Sequence, residues 1–335
     1  MKAVGTLALF LLCACSANVP PEVELAGITM GTQFSVKLIA NDTDVDAVFL
    51  QQEIEDSLAH VEHMMSTYLP DSEISRFNAS TRTEWQTVSR EFCVSVVQAQ
   101  AVSVLTDGSF DITVGPLVDL WGFGPGDIID EPPAEENIAA VLKSVGYGHL
   151  QADCTQPALR KDIADLALDM SAFGKGYATD RLATVLDEAD VENYLVEVGG
   201  ELRLRGHNAE GAKWAIGIEA PLPNQRRPHT ILHLSDTAMA TSGDYRNYFE
   251  TNGKRYSHTI DTRTGRPVTH TLASVTVIDE VGFRADALAT ALLVMGPDAG
   301  MELATREGMA VLFLLRTENG IEELSTPAFE QLRSI

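Results

Sequence analysis

Asp286 and Thr290 stand four residues apart in the stretch RADALATALLVM, 284–295. On a helix they share one face, and their neighbours there are Ala, Leu and Val. A carboxylate in such company needs a partner, because an unpaired buried charge is costly. Two arrangements meet that need. One is an oxygen site for a hard divalent cation, with the carboxylate and the hydroxyl as ligands. The other is a helix-start aspartate beside a threonine bonded back to its own helix. Spacing alone leaves both open. A second stretch, DMSAFGKGYATD at 169–180, sets Lys175 between two glycines, with a carboxylate at each end. It is not a Walker A motif, since the upstream glycine and the Ser/Thr after the lysine are missing. As a loop entering a helix over 177–186, it offers free N–H groups and a point charge to an anion. As an exposed lysine on a glycine-softened helix start, it offers no site. The third stretch is YSHTID, 256–261, where His258 lies two residues from a tyrosine and three from Asp261. A histidine beside a carboxylate can act as a general base. A hydrogen-bonded structural histidine fits the same pattern.

These side chains need elements to hold them. TQFSVKL at 32–38 alternates apolar and polar residues, as a half-buried strand does. Residues 44–65 carry apolar side chains at helical spacing, and Ser89 can cap a second helix through Leu105, stopped by Asp107-Gly108. Residues 122–133 form a loop, and 135–145 a short helix. Two short strands flank Gly199-Gly200 within 194–205. Alternation predicts further strands over 213–219, 230–234 and 273–279. Helices are expected over 284–295 and 298–306, and a buried strand over 309–316. Helices crowd the first half and strands the second, without regular alternation, which predicts an α+β fold.

The chain has 335 residues, 45% of them hydrophobic, enough for one large core or two small ones. Its formal net charge of −24 argues against nucleic acid as a partner. It also means that a phosphorylated ligand needs local positive charge. Lys2, the apolar run 4–12 and LLCAC at 11–15 read as a secretory signal, too short to span a bilayer. Small residues before Cys15 predict a lipoprotein signal over 1–14 and a lipid-bearing Cys15. A polar tether would follow through residue 26 and a folded domain over 27–335; an ordinary signal peptide is the alternative. Cys93 and Cys154 then face an oxidising compartment, as a bridge or as two buried thiols.

Several strings occur together and in order: GITMGT (27–32), TYLPDSEISRFN (67–78), GSFDITVGPLVDLWGFGP (108–125), LDMSAFGKGYATD (168–180), LVEVGGELRLRG (195–206), ATSGDYRNYF (240–249), YSHTIDTRTGRPV (256–268) and ADALATAL (285–292). In this combination the chain resembles the ApbE family of FAD:protein FMN transferases. The resemblance implies a mixed, mainly antiparallel sheet with packed helices. It implies FAD as substrate, Mg2+ (with Mn2+ as a substitute) as cofactor, and transfer of FMN to a threonine hydroxyl of an acceptor protein with release of AMP. The expected acceptor is a subunit of a membrane redox complex. The expected location is the periplasmic face of the inner membrane, with the lipid anchor at Cys15. By correspondence of motifs, Asp286 and Thr290 become side-chain metal ligands and Ala172 a ligand through its carbonyl. Met30, Tyr68, Ser109, Phe110, Asp111, Asp169, Lys175 and Ile260 become FAD contacts. His258 is the candidate base, with Asp261 or Asp244 as rivals. Ser109, the Phe173-Gly174 pair and Thr262 depart from the residues commoner in the family, and the enlarged Phe173 is expected beside the cofactor. Hydrolysis of FAD to FMN and AMP, or FAD binding without chemistry, are the competing functions.

Overall fold

The structure, a computed structural model, describes residues 20–40, 46–126, 129–222, 227–244, 248–251 and 253–334. Cys15 and the signal segment lie outside the described residues. One antiparallel sheet of 8 strands organises the chain. Its spatial order is Glu22–Thr29, Thr32–Ile39, Tyr194–Val198, Glu201–Arg205, Thr237–Gly243, Leu272–Asp279, Ala310–Thr317, Gly320–Ser325. This is the α+β architecture that the sequence predicts.

Both faces of the sheet are covered. In Ala310–Thr317, Val311 and Phe313 enter one core, while Leu312 and Leu314 enter the opposite one. A continuous apolar run is what a strand buried on both faces requires. The helices Ala47–Met65, Arg90–Leu105, Gly174–Glu188 and Gly282–Met295 cover one side. The hairpin Trp214–Glu219/Pro228–Leu234 and the helix Pro327–Arg333 cover the other. Asp46 accepts from the N–H groups of Val48 and Phe49, and Ser89 from that of Phe92 at 3.1 Å, so both long helices of the first half start on a cap.

Some elements differ from expectation. Residues 22–26, expected in the tether, belong to the strand Glu22–Thr29, which pairs with Thr32–Ile39. As an edge strand it buries only Leu25 and Thr29, too few to produce a visible alternation. The helix expected over 177–186 begins three residues earlier, at Gly174, and so takes Lys175 into its first turn. The helix Glu73–Ala79, capped by Ser72, went unread because its 7 residues make too few turns to show a period.

Cys93 and Cys154 form a disulfide with Cα atoms 5.7 Å apart, and it closes a loop of 61 residues. Loop entropy of that length corresponds to roughly 4 kcal/mol, less any strain. The double variant Cys93→Ala/Cys154→Ala should therefore unfold in urea with stability lower by about 2–4 kcal/mol. Unchanged stability would mean that the bridge does not form in the native protein.

Candidate active site

The helices Gly174–Glu188 and Gly282–Met295 touch backbone to backbone. A Cβ on Gly176 would lie 2.2 Å from the Gly282 carbonyl oxygen, and one on Gly282 would lie 2.6 Å from that of Gly176. Only glycine allows this approach. It places Asp286 directly beneath the first turn of the lysine helix, where its Oδ2 accepts the Gly176 N–H at 3.0 Å. Lys175 turns back to the same point. Its Nζ is 3.4 Å from Glu201 Oε1 and 4.0 Å from Asp286 Oδ2. The lysine stem passes Gly199, whose φ of +61° and missing Cβ the turn needs; a Cβ there would be 3.1 Å from Lys175 Cδ.

A cavity of about 670 Å³ opens over this cluster, large enough for a nucleotide-sized ligand. Asp286, Thr290, Ala172, Lys175, Ser109, Phe110, Asp111, Asp169, His258 and Ile260 all line it. The Thr290 hydroxyl bonds Ser242 Oγ at 2.7 Å across the helix–sheet boundary rather than its own helix. Asp286 is only 2% exposed and sits well inside the helix. The bland arrangement, a helix-start carboxylate with a back-bonded threonine, is therefore not the one adopted.

Charge in the cluster is out of balance. Asp286 and Glu201 are both buried against one lysine, and Glu201 Oε2 has no hydrogen-bond partner among the described residues. Burial pushes the Glu201 carboxyl up, Lys175 opposes that, and Asp286 adds to it. Burial works against the Lys175 ammonium, but Asp286 and Glu201 overcome it and hold its pKa above the ordinary lysine value, so it stays charged. Among the described residues no three His, Cys, Asp or Glu side chains gather as a metal cluster. The donors that the resemblance assigns are the Asp286 carboxylate, the Thr290 hydroxyl and the Ala172 carbonyl, an all-oxygen set of the kind that suits a magnesium-like cation. The variant Lys175→Met leaves two buried carboxylates unopposed and should cost about 3 kcal/mol in urea unfolding. Adding Glu201→Gln should recover most of that loss. No recovery would mean that the lysine stabilises through packing alone.

The loops at the cavity wall are tied together by short polar bonds. The Asp169 N–H donates to the Ile112 carbonyl at 2.7 Å, and its Oδ1 accepts the Ser171 N–H at 2.7 Å. Asp111 accepts from the Thr113 N–H and hydroxyl and from the Tyr147 N–H, all within 2.7–2.8 Å, so much of its role is to hold its own loop. Burial raises its carboxyl against those bonds. Ser109 Oγ is buried with no partner among the described residues, which suits a hydroxyl awaiting a ligand. Thr262 donates to the Gly108 carbonyl at 2.6 Å and so pins the His258 segment to the Ser109 loop. A proline at that position could not make this bond.

Met30 and Tyr68 do not line the cavity. Met30 adopts φ +49°, and its N–H donates to Glu62. Tyr68 is 66% exposed and donates to the Phe123 carbonyl at 3.3 Å. Partial burial and then the Asp169 and Asp119 carboxylates push its phenol up. Phe173 does not crowd the cofactor space as expected. It is fully buried and packs on Tyr177 and Phe283, with ring centroids 5.8 and 5.1 Å away. His258 faces the cavity, with the Phe123 ring edge-on at 6.3 Å. Its two rivals are engaged elsewhere: Arg263 grips Asp261 at 2.9 and 3.0 Å, and Arg316 grips Asp244. Sequence reasoning missed Glu201. Its signal was a carboxylate immediately after a double-glycine turn at the start of a strand.

An antiparallel sheet with packed helices, whose cleft sets oxygen donors beside a half-buried lysine, suits a phosphorylated ligand. The model of the ApbE family matches residues 30–313. The FAD:protein FMN transferase of Vibrio cholerae is 43% identical over 331 residues, 99% of this chain and 98% of that one. That of Haemophilus influenzae is 38% identical over 338 residues, 99% and 97% of the two chains. Among solved structures, the flavin transferase ApbE from Vibrio cholerae superposes with a TM-score of 0.87 at 42% identity, covering 93% of this chain and 99% of that one. The apo form of the Pseudomonas stutzeri flavinyl transferase ApbE gives 0.86 at 39% identity, covering 93% and 97%. The chain belongs to the ApbE family.

Proposed function

We propose that this chain is an FAD:protein FMN transferase, moving the FMN half of FAD to a threonine hydroxyl of an acceptor protein and releasing AMP. The observation that carries this reading is the gathering of Asp286, Thr290, Ala172 and Lys175 from separate segments on one cavity. The threonine oxygen attacks the FMN-side phosphorus. A P–O bond to threonine forms, the bridging P–O bond breaks, and AMP leaves with the electron pair. The hydroxyl proton passes to a ring nitrogen of His258. Lys175 holds one diphosphate oxygen. Asp169, Ser109, Phe110 and Ile260 orient the dinucleotide, because positioning and charge stabilisation dominate phosphoryl transfer. Magnesium, or manganese in its place, would be held by Asp286, Thr290 and the Ala172 carbonyl, and would offset the negative charge of the diphosphate.

The acceptor is a subunit of a membrane redox complex. The enzyme works at the periplasmic face of the inner membrane, attached through a lipid on Cys15; the Cys93–Cys154 bridge suits such an oxidising compartment. Cys15→Ser should move the protein from the membrane pellet to the soluble fraction, and continued sedimentation with membranes would remove the anchor. The transferase reading is tested with FAD, magnesium and an acceptor subunit. Flavin fluorescence should remain on the acceptor band in a denaturing gel, with one AMP released per flavin attached. FMN and AMP without labelled acceptor would make the enzyme a hydrolase.

A further inference from the structure

A second groove, of about 790 Å³, adjoins the reaction cavity. Three segments run from one into the other. The strand Trp214–Glu219 lines the cavity, and the next residues, Ala220, Pro221 and Leu222, line the groove. His258 lines the cavity and Arg255, three residues earlier, the groove. Gly243 lines the cavity, and its neighbour Asp244 holds the groove residue Arg316 at 2.8 Å.

The two spaces have opposite charge. The cavity is lined by Asp111, Asp169, Glu197, Glu201, Glu219 and Asp286 against Lys175. Among the described residues the groove is lined by Arg227, Arg255, Arg316 and His229 and by no carboxylate. Carboxylates outside the lining balance three of these side chains: Asp244 pairs with Arg316, Glu250 with Arg255 at 3.2 Å, and Glu323 with His229 at 2.7 Å, so Arg227 and the unengaged terminal nitrogens of the Arg255–Glu250 pair carry the groove's positive character. Arg255 also sets its Cζ 3.8 Å from the Tyr248 ring centroid, a cation–π contact that holds the guanidinium over the ring. It meets Glu250 through Nε, so its two terminal nitrogens are not used in that pair. A fixed guanidinium fork of this kind suits carboxylate recognition.

We propose that this groove docks an acidic segment of the acceptor polypeptide, next to the threonine that receives FMN. The inference rests on the transferase reading, which requires a second polypeptide at the cavity mouth. An extended chain advances about 3.3 Å per residue, so a few residues connect a threonine in the cavity to carboxylates in the groove. A concave space of this kind fits a strand-like segment better than a flat lipid surface. Opposite charge across the contact steers encounter and fixes the direction in which the segment enters.

The test uses the full mature chain and two fluorescein-labelled peptides, each with an Ala-Thr-Gly core. One carries four aspartates beside the core and the other four lysines. Anisotropy should show the acidic peptide binding more tightly, with affinity falling as salt rises. Arg227→Ala/Arg255→Ala should weaken it about tenfold, the scale of two partly exposed charge contacts. The variant Arg227→Lys/Arg255→Lys keeps the charge but not the fork, so it should retain part of the binding, and it controls for folding. FAD affinity, read by flavin fluorescence quenching, should be the same in all three proteins. Equal binding of the two peptides, or no loss in the double alanine variant, overturns the proposal. A fall in FAD affinity overturns it by placing the arginines in the dinucleotide site. Loss of binding to phosphatidylglycerol vesicles without a peptide effect overturns it in favour of a membrane. The peptide measurement needs no turnover, so it stands apart from the transferase assay. Wild-type protein that labels no acceptor removes the transferase reading itself.

Discussion

Asp286→Ala should reduce divalent-dependent FMN transfer on the order of a thousandfold, because several kcal/mol of transition-state stabilisation by a bound cation would go with the carboxylate. Asp286 is buried at the contact of two helices that only glycines allow to meet, one of its oxygens is spent on Gly176, and Lys175 stands 4.0 Å away. Alanine removes both the ligand and the acceptor of the Gly176 N–H, so structural damage must be separated from lost chemistry. Asp286→Asn does this: it keeps the size of the side chain and an oxygen for that N–H but removes the charge. It should melt near the wild-type temperature and still fail to respond to added magnesium. A folded Asp286→Ala protein that transfers FMN at the wild-type rate would refute the assignment of the carboxylate to the cation.

His258→Ala should lower the transfer rate by about 10²–10⁴-fold, the range for loss of a positioned base, while FAD binds as before. The competing carboxylates are unavailable, since Asp261 and Asp244 are each held by an arginine. His258 faces the cavity on a segment pinned to the Ser109 loop through Thr262. Equal losses in rate and FAD affinity would make His258 a binding residue.

Much of the scaffold was legible because its signals are local. The alternation in Thr32–Ile39 reflects a strand with one buried face, and Ser89 announces the helix that follows it. The edge strand Glu22–Thr29 was not legible, because it gives the core almost nothing to pattern. The site was legible in part. Asp286 and Thr290 share a helix face, which spacing shows, but which arrangement they adopt depends on Gly176 and Ser242, over a hundred and nearly fifty residues away. Glu201 follows a double-glycine turn, but it joins the cluster only through the pairing of its strand with its neighbours, which that local pattern does not show. Phe173 was misplaced for the same reason: its side chain turns to Phe283, a partner that cannot be read from sequence distance.

The most direct measurement is anomalous diffraction from crystals of the protein soaked with manganese and FAD. A peak within bonding distance of the Asp286 carboxylate, the Thr290 hydroxyl and the Ala172 carbonyl, with diphosphate oxygens completing its shell, is the predicted result. FAD bound in the cavity with no metal peak at those three oxygens would contradict the account.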